Sequence, residues 1–541
     1  MIVLSTLNAR YHHSAFGLRY LYANLGQLQS QTKIVEFTTK KNPEEVVREV
    51  MALQPRVVGF GVYIWNVKEL TAVLKIFKAQ HPQVCLVLGG PEVSYEIETQ
   101  EIFQYCDHII CGEGDFLFRD FCEGFLNGSP AYPKVIKGPR PDISAIQSPY
   151  RFYSDEDIKN RVIYVEASRG CPYKCEYCLS SLDEKVRDFE IEAFLQDMEL
   201  LIQRGARTFK FVDRTFNLSI SKSTRILKFF LARMDRGLFV HFELVPDRLP
   251  VELRELIRLF PKGSLQFEIG VQTMNPLVAR RISRRQNYEK MAENFHFLKT
   301  ETGVHTHADL IFGLPGESFE SFATGFDQLV KFGPDEVQVG HLKRLKGTPI
   351  VRHDSDFEVF WSTEPPFEII QNRDLSAAQM NLLKAFADVW DMYWNAGRFP
   401  SFNLWVTEQL AEKEQLSETK HQASLFQWVL EFTKEFLAEF RKTHSISLND
   451  QFQFLQKYLV GVLKRDEEQV RVLLVKDYLR DGRNRLPAFL KGFSAEEAGL
   501  SAQRKSHPQD FALGGSLDLS MSSTPQRQRR HALAQDQTDR D

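Results

Sequence analysis

Three cysteines in one short segment constrain this chain more than any other feature of its sequence. Cys171, Cys175 and Cys178 have the spacing C-x3-C-x2-C, and Gly170 and Pro172 favour a loop at this point. Such a loop can wrap three thiolates around one small inorganic object. The chain has seven cysteines, an odd and sparse number that does not suit a disulfide framework. The other four are expected to be buried small hydrophobic residues: Cys85, Cys106, Cys111 and Cys122.

Several kinds of site compete to explain the three neighbouring cysteines. Structural zinc prefers four ligands in two close pairs, and no fourth Cys or His follows at a suitable spacing. Nucleophilic catalysis needs one cysteine, so three would be redundant. An iron–sulfur cluster normally takes four thiolates, and three would leave one iron open to a substrate. The remaining alternative is a fortuitous cysteine-rich turn, which is uncommon for so dense a cluster.

Composition and charge exclude several classes of protein. Hydrophobic residues make up 43% of the chain and charged residues 26%, as in soluble globular proteins. The net charge of −3 does not indicate a nucleic-acid partner. The N-terminus lacks the pattern of a secretory signal, and no apolar run approaches the ~20 residues that span a bilayer. These features predict a cytoplasmic protein with no membrane partner.

Residues 1–128 alternate strand-like and helix-like segments, which predicts a doubly wound parallel sheet. Ligands of such sheets lie at the carboxyl ends of the strands. Those ends carry Asn8–His13, Gly59–Gly61, Leu88–Pro91 and Cys111–Gly114. Glycine at several strand ends lets the backbone approach a large flat or phosphate-bearing ligand, although ordinary turns would have the same composition.

Four further segments follow along the chain. Residues 129–160 are rich in Pro, Ser and Asp, which predicts a linker. Residues 161–350 contain six strand–helix units, which predict a partial or full parallel barrel with its chemistry at the C-terminal strand ends. Residues 366–490 have helical periodicity with aromatic faces, which predicts an α-helical domain with an aromatic core. Residues 499–541 have few large apolar residues and are expected to be disordered.

The cysteine loop after the first strand of the second block resembles that of the radical S-adenosylmethionine (SAM) superfamily. The resemblance implies a partial (β/α)6 barrel and a [4Fe-4S] cluster on Cys171, Cys175 and Cys178. In that superfamily the unique iron chelates the amine and carboxylate of SAM. One electron, from a donor such as flavodoxin or ferredoxin, then cleaves SAM to methionine and a 5′-deoxyadenosyl radical.

Later strand ends resemble the SAM-binding segments of the same superfamily. The segment Phe211–Asn217 resembles the second strand end, although the usual Gly-Gly-Glu is absent. The segment Asp309–Glu317 resembles the strand on the adenine side. The resemblance implies SAM contacts from Tyr177, Asp213, Glu243, Glu268, Gln272 and Gly313. It identifies no catalytic acid or base.

Residues 1–128, placed before such a domain, resemble the cobalamin-binding domain of cobalamin-dependent radical enzymes. Leu88–Glu92 and Gly112–Asp115 match that family's fourth and fifth strand ends. The sequence Asp-x-His-x-x-Gly is absent, because His12 and Ser14 precede Gly17, so no cobalt–imidazole bond is predicted there. The resemblance implies cobalamin contacts from Asn8, His12, Gly61, Gly89, Gly90, Gly112, Glu113 and Gly114.

Three functions therefore remain open. The first is a cobalamin-dependent radical SAM enzyme that transfers a methyl group to an unactivated centre. The second is a methylthiotransferase-like radical SAM enzyme that acts on RNA or protein and holds no cobalamin. The third is a non-enzymatic sensor that carries a cluster or a corrin, with the helical region as its partner-binding part. The sequence does not identify the substrate, whether small molecule or macromolecule.

Overall fold

The structure, a computed structural model, describes residues 1–129, 131–183, 185–416, 424–480 and 486–490. It contains an N-terminal α/β domain, a central α/β domain and a C-terminal helical region, which confirms the predicted fold class. The predicted disordered tail, residues 499–541, lies outside the described residues. None of the helices in the described ranges has the length and apolar character needed to cross a membrane.

The N-terminal domain is a six-stranded parallel sheet. Its strands are β1 (Ile2–Asn8), β2 (Thr32–Thr38), β3 (Val57–Gly61), β4 (Cys85–Gly89), β5 (His108–Ile110) and β6 (Val135–Ile136). Its helices are α1 (Phe16–Ala23), α2 (Pro43–Met51), α3 (Val67–Gln80) and α4 (Leu117–Leu126). The strand order β2-β1-β3-β4-β5-β6 reverses direction between β1 and β3, where doubly wound sheets bind ligands.

Strand β1 lies inside this sheet and all of its residues are buried, as expected for a parallel strand covered on both faces. Strand β6 falls within the segment that the sequence predicts as a linker. It pairs with β5 through Ile109 and Val135 and so extends the sheet. A two-residue strand has too few residues to show a periodic pattern, which explains why the sequence does not indicate it.

The central domain is a second six-stranded parallel sheet with a short antiparallel hairpin. Its strands are β7 (Ile163–Val165), β8 (Ser168–Arg169), β9 (Arg187–Asp188), β10 (Thr208–Phe211), β11 (Phe239–Leu244), β12 (Leu265–Gln272), β13 (His305–Phe312) and β14 (Glu336–His341). Its helices are α5 (Asp155–Asn160), α6 (Ile191–Gln203), α7 (Ile220–Leu231), α8 (Val251–Ile257), α9 (Pro276–Arg281), α10 (Tyr288–Glu301) and α11 (Phe319–Phe332). The sheet has the order β14-β13-β12-β11-β10-β7, so β7 and β14 are its two edges and a barrel built from it stays open.

The strands β8 and β9 pair with each other and enclose the three cysteines. We call residues 170–183, which follow β8, the cysteine loop. Gly170 starts this loop with φ of +96°, and a Cβ there would lie 2.5 Å from the carbonyl oxygen of Lys185. Only glycine suits that position, which gives a physical reason for the Gly-Cys-Pro sequence at the start of the loop.

The C-terminal region consists of helices with one small hairpin. Its elements are β15 (Phe360–Trp361), β16 (Ile369–Gln371), α12 (Ala377–Trp390), α13 (Pro400–Leu416), α14 (Leu425–Phe440), α15 (Leu448–Lys457) and α16 (Glu467–Leu479), with π-helical turns at Asp391–Asn395 and Tyr458–Val462. The aromatic faces of these helices pack together in one core, in which Phe402, Phe432 and Phe452 are fully buried. The prediction that these aromatic stripes are helical core is therefore confirmed.

The helical region covers the edge strand β14 of the central sheet. Asn395 acts as a substitute strand partner, because its side-chain oxygen accepts from the backbone N–H of Val337 at 3.1 Å and its amide donates to the Val337 carbonyl at 2.9 Å. The indole N–H of Trp390 donates to the same carbonyl at 2.8 Å. These contacts satisfy backbone groups that an uncovered edge would expose.

The substitution Asn395→Ala is predicted to destabilise the protein by about 1–3 kcal/mol, because it leaves the buried N–H of Val337 without an acceptor. Chemical denaturation of the two proteins measures this difference. Asn449→Ala is the control, since this exposed asparagine of the same region accepts one hydrogen bond from Tyr478. Equal effects of the two substitutions would contradict the role of Asn395.

Glu317, the last residue of the segment Asp309–Glu317, has a structural role. Its side chain is buried, with the residue 1% exposed, and Oε1 accepts a hydrogen bond from the Thr273 hydroxyl at 2.6 Å. Oε2 has no hydrogen-bond partner among the described residues. Burial raises the pKa of Glu317 to about 7, so the folded protein holds this carboxyl protonated at mildly acidic pH.

Glu317 is predicted to make stability fall as the pH rises from about 4.5 to about 7, because only the folded state keeps the proton in that window. The free energy of unfolding of Glu317→Gln, relative to that of wild type, should therefore rise by about 2–4 kcal/mol between pH 5 and pH 8. Denaturation at both pH values tests this, with exposed Glu320→Gln as control. An unchanged pH dependence in Glu317→Gln would contradict the assignment.

Candidate functional site

A cavity of about 390 Å³ lies at the carboxyl ends of the central strands. Residues from the cysteine loop, from the segment after β10 and from β11 to β14 all line it. Because six neighbouring strands send their ends to one cavity, the sheet must curve into a partial barrel, as the sequence predicted. The volume falls in the range of ~300–1,000 Å³ that encloses small ligands.

The thiols of Cys171, Cys175 and Cys178 all face this cavity. None of them forms a disulfide, and the first two are buried. Within the described ranges, no group of three or more His, Cys, Asp or Glu residues could hold a single metal ion. Each thiolate of an iron–sulfur cubane binds a different iron, so its ligands stand farther apart than those of one ion. Three free thiols that line one cavity suit the ligation of a single cluster.

The surroundings of the thiols suit negatively charged sulfur. Burial raises the pKa of the Cys171 thiol, while a backbone N–H of Tyr173 and the charge of Arg214 act in the opposite direction. A guanidinium N–H of Arg284 lies 3.5 Å from the sulfur of Cys175 and donates to the Tyr177 hydroxyl at 3.1 Å. Buried thiolates need such donors and a bound cation to stay charged.

Arg284 was not among the site residues predicted from the sequence. The available signal was the dense basic run Arg280–Arg285, which follows the end of strand β12. Charge runs are usually solvated, and only the fold shows that one arginine of this run turns inward. The guanidinium of Arg284 also donates to the carbonyl of Gly270 and to Gln286, so its position is fixed.

The cysteine loop is anchored between its second and third cysteines by Glu176. This buried carboxylate accepts hydrogen bonds from Ser283 and Arg352, and its Oε2 lies 2.8 Å from Nε2 of His353. The backbone N–H of Ile350 also donates to the Glu176 carbonyl at 3.0 Å. The segment Pro349–His353, which leads into the C-terminal region, thus holds the loop in place.

Four of the six predicted SAM-binding residues line the cavity: Tyr177, Glu243, Glu268 and Gln272. Asp213 instead accepts hydrogen bonds from the backbone N–H of Ala167 at 2.9 Å and from the Ser168 hydroxyl, and burial raises its pKa to about 7. Gly313 packs on the C-terminal region, because its carbonyl accepts from Asn372 at 3.1 Å. These two residues support the walls of the site, and SAM contacts stay predictions for all six.

The inner face of the barrel below the cavity is polar. Glu268 lies 3.1 Å from Nε2 of His241 and 3.3 Å from Nζ of Lys210. Burial alone would raise the pKa of Glu268, but these two neighbours hold it well below its usual range. Burial and the repulsion of Glu268 and Glu243 raise the pKa of Asp309 well above its usual range. The environment of the site thus favours the ionised form of Glu268 and the protonated form of Asp309.

A second cavity of about 210 Å³ lies at the strand ends of the N-terminal domain, and seven of its nineteen lining residues are glycine. Six of the predicted cobalamin-contacting positions line it: Gly61, Gly89, Gly90, Gly112, Glu113 and Gly114. A Cβ at Gly61 would lie 3.4 Å from Tyr63, so a larger residue would narrow the space. This volume lies below the range of ~300–1,000 Å³ that is usual for pockets that bind small molecules.

The other two predicted positions, Asn8 and His12, do not line this cavity. The amide of Asn8 donates to Glu36 at 2.7 Å and to the carbonyl of His13 at 3.0 Å. The carbonyl of His12 accepts from the backbone N–H of Val162, just before β7. The loop after β1 therefore joins the N-terminal sheet to the central domain, and cobalamin contacts of Asn8 and His12 stay predictions.

Comparison with known families assigns each of the three parts of the chain. Residues 2–121 match the B12 binding domain, and residues 165–329 match the radical SAM superfamily. Residues 355–512 match a protein family of unknown function, DUF4080. Most residues that line the smaller cavity lie in the first of these matched segments, and most that line the larger cavity lie in the second.

Curated relatives share part of this architecture. The cobalamin-dependent radical SAM methyltransferase TokK of Streptomyces tokunonensis is 24% identical over 348 residues, which are 55% of this chain and 48% of the relative. The ribosomal protein uS12 methylthiotransferase RimO of Trichlorobacter lovleyi is 27% identical over 246 residues, or 41% of this chain and 54% of the relative. The chain thus spans about half the length of the curated relatives it matches.

Solved structures share the fold across most of the chain. The cobalamin-dependent SAM radical enzyme OxsB with aqua-cobalamin bound has a TM-score of 0.61 at 14% identity, covering 92% of this chain and 82% of its own. The radical SAM methyltransferase TsrM from Kitasatospora setae, with cobalamin and a [4Fe-4S] cluster bound, has a TM-score of 0.55 at 14% identity, covering 67% and 78%. The chain therefore combines, in this order, a B12 binding domain, a radical SAM domain and a DUF4080 region.

Proposed function

We propose that this protein is a cobalamin-dependent radical SAM enzyme that transfers a methyl group to its substrate. The observation that carries the proposal is the convergence of three free thiols and the strand-end polar groups on one cavity, next to a domain with a glycine-walled cavity. The combination of a B12 binding domain and a radical SAM domain supports cobalamin, SAM and an iron–sulfur cluster as the cofactors.

Each cofactor has a set of residues that would hold it. Cys171, Cys175 and Cys178 would ligate the cluster, and SAM would lie in the 390 Å³ cavity, where positive and negative side chains suit its charged amino-acid end. When bound, these cofactors supply reductive cleavage of SAM and a transferable methyl group. Arg284 keeps an N–H directed at the sulfur of Cys175, which favours the charged thiolate.

The side chains of the barrel would orient the substrate and control protons. Burial and neighbouring carboxylates raise the pKa of Asp309 and so favour its protonated form, which can donate a hydrogen bond into the cavity that it lines. Glu268 stays ionised and can accept one. Gln338 and His341, both on β14, extend the polar wall of the cavity to the edge strand of the sheet. The substrate class follows from none of these groups alone.

The methylthiotransferase alternative requires a second cluster site in the front domain. Burial raises the pKa of the thiols of Cys85, Cys106 and Cys122, which therefore behave as core residues. Cys85 lies on β4, Cys122 lies on α4 and Cys106 lies just before β5, so these three cysteines do not share one loop. The similarity to RimO covers 41% of the chain. These observations favour the cobalamin-dependent reaction.

Cys175→Ala is predicted to lose both the visible absorption of the cluster and the formation of 5′-deoxyadenosine from SAM, because one ligand of the cluster is removed. The measurement is anaerobic reconstitution with iron and sulfide, followed by a spectrum and a cleavage assay under strong reductant. The control is Cys106→Ala, which removes a buried thiol that lines neither cavity.

Each result has a distinct consequence. Cluster absorption or cleavage that persists in Cys175→Ala would contradict ligation by this residue. A wild-type protein that binds the cluster but cleaves no SAM above background would favour the sensor hypothesis. Cobalamin uptake in the same reconstitution, seen as corrin absorption that remains after desalting, is expected for wild type. Its absence would remove the cobalamin half of the proposal.

A further inference from the structure

One carboxylate of the N-terminal domain binds both strands of the hairpin that carries the cysteine loop. Glu113 Oε2 lies 3.0 Å from Nη1 of Arg169 on β8, and Glu113 Oε1 forms an ion pair with Arg187 on β9. Because the cysteine loop leaves β8 and the chain returns through β9, Glu113 holds both ends of the loop.

The contact is half-buried, and all three guanidinium nitrogens of Arg169 have carboxylate partners. Its guanidinium also binds Asp115 through Nη1 and Nη2, at 3.0 and 3.2 Å, and Glu166 through Nε at 2.8 Å. It lies over the ring of Tyr20, 4.5 Å from the centroid, and its side chain is 14% exposed. Charge-assisted contacts of this kind fix position strongly, and breaking one partner is costly.

The same residues form a wall of the glycine-lined cavity. Glu113 stands between Gly112 and Gly114, and all three line the cavity together with Asp115 and Arg169. Arg169 comes from the central domain, so that domain completes the cavity of the N-terminal one. A ligand that presses on the Gly112–Gly114 backbone therefore acts on the residue that holds the cysteine loop.

We propose that Glu113 is a positioning residue that couples the two cofactor sites. Occupation of the glycine-lined cavity fixes the cysteine loop through Arg169 and Arg187, and an ordered cysteine loop in turn fixes the cavity wall. The inference rests on the proposed function and adds a regulation of its two sites. Both carboxylate oxygens of Glu113 are already engaged by arginines, which favours this indirect role over direct contact with cobalamin.

Coupled sites must affect each other's affinity by the same factor. The test measures the dissociation constant of hydroxocobalamin for the full chain, once with the cluster reconstituted and once free of iron. Wild type is expected to bind more tightly when the cluster is present, by roughly 5- to 150-fold. Reciprocally, hydroxocobalamin should slow the loss of cluster absorption to an iron chelator.

Two variants separate coupling from direct contact. Glu113→Gln keeps the shape of the side chain but loses its charge, and is expected to bring the affinity ratio close to one. Arg187→Gln removes a partner of Glu113 that does not line the cavity, and should lower the ratio in the same direction. Asp120→Asn is the control, since this exposed carboxylate on α4 pairs with its neighbour Arg119, and should leave the ratio unchanged.

Three outcomes would overturn the coupling. The first is that wild type binds hydroxocobalamin equally tightly with and without the cluster, while it still cleaves SAM. This result would leave the proposed function intact. The second is that Glu113→Gln loses the same factor in affinity for hydroxocobalamin with and without the cluster. This result would indicate that Glu113 contacts cobalamin directly. The third is that Arg187→Gln has the same ratio of dissociation constants as wild type. This variant also decides the question if Glu113→Gln does not fold. Wild type that takes up no hydroxocobalamin would contradict the proposed function itself.

Discussion

The positions of the three thiols depend on the contacts that hold the hairpin formed by β8 and β9. At its base, Arg169 and Arg187 bind Glu113 of the N-terminal domain, and at the middle of the cysteine loop Glu176 binds the segment that leads into the C-terminal region. All three parts of the chain therefore meet at the three thiols. Ligands of a metal site work best when surrounding residues fix them before the metal arrives, and here ion pairs and hydrogen bonds provide that fixation.

This dependence gives a physical role to the DUF4080 region. Helix α12 and the π-helical turn after it supply Trp390 and Asn395 to the edge strand β14, and the segment before α12 supplies Asn372 to the turn after β13. A six-stranded partial barrel has two open edges, and an uncovered edge strand leaves backbone groups without partners. The helical region thus completes the barrel wall next to the cavity, and its aromatic core makes that cover rigid.

The fold could be predicted because both sheets repeat a regular alternation of strand and helix. The site could be predicted in the class of segments whose functional residues are adjacent in sequence. The cysteine loop and the glycine-rich strand ends belong to that class. Lys210 and His241 were missed, because an inward-facing polar residue in a strand looks like an outward-facing one until the barrel closes. Asp213 carries the acidic side chain expected of a ligand contact, yet the fold turns it toward the backbone of Ala167.

We propose that three thiolates hold a [4Fe-4S] cluster whose remaining iron is free to bind SAM. Mössbauer spectroscopy of the protein reconstituted with ⁵⁷Fe, recorded before and after the addition of SAM, tests it most directly. We expect the signal of one iron site to change on addition of SAM while the others stay the same, because three cysteines line the cavity and leave one iron without a protein thiolate. A spectrum that SAM does not alter, or one that shows no cubane cluster, would contradict this account.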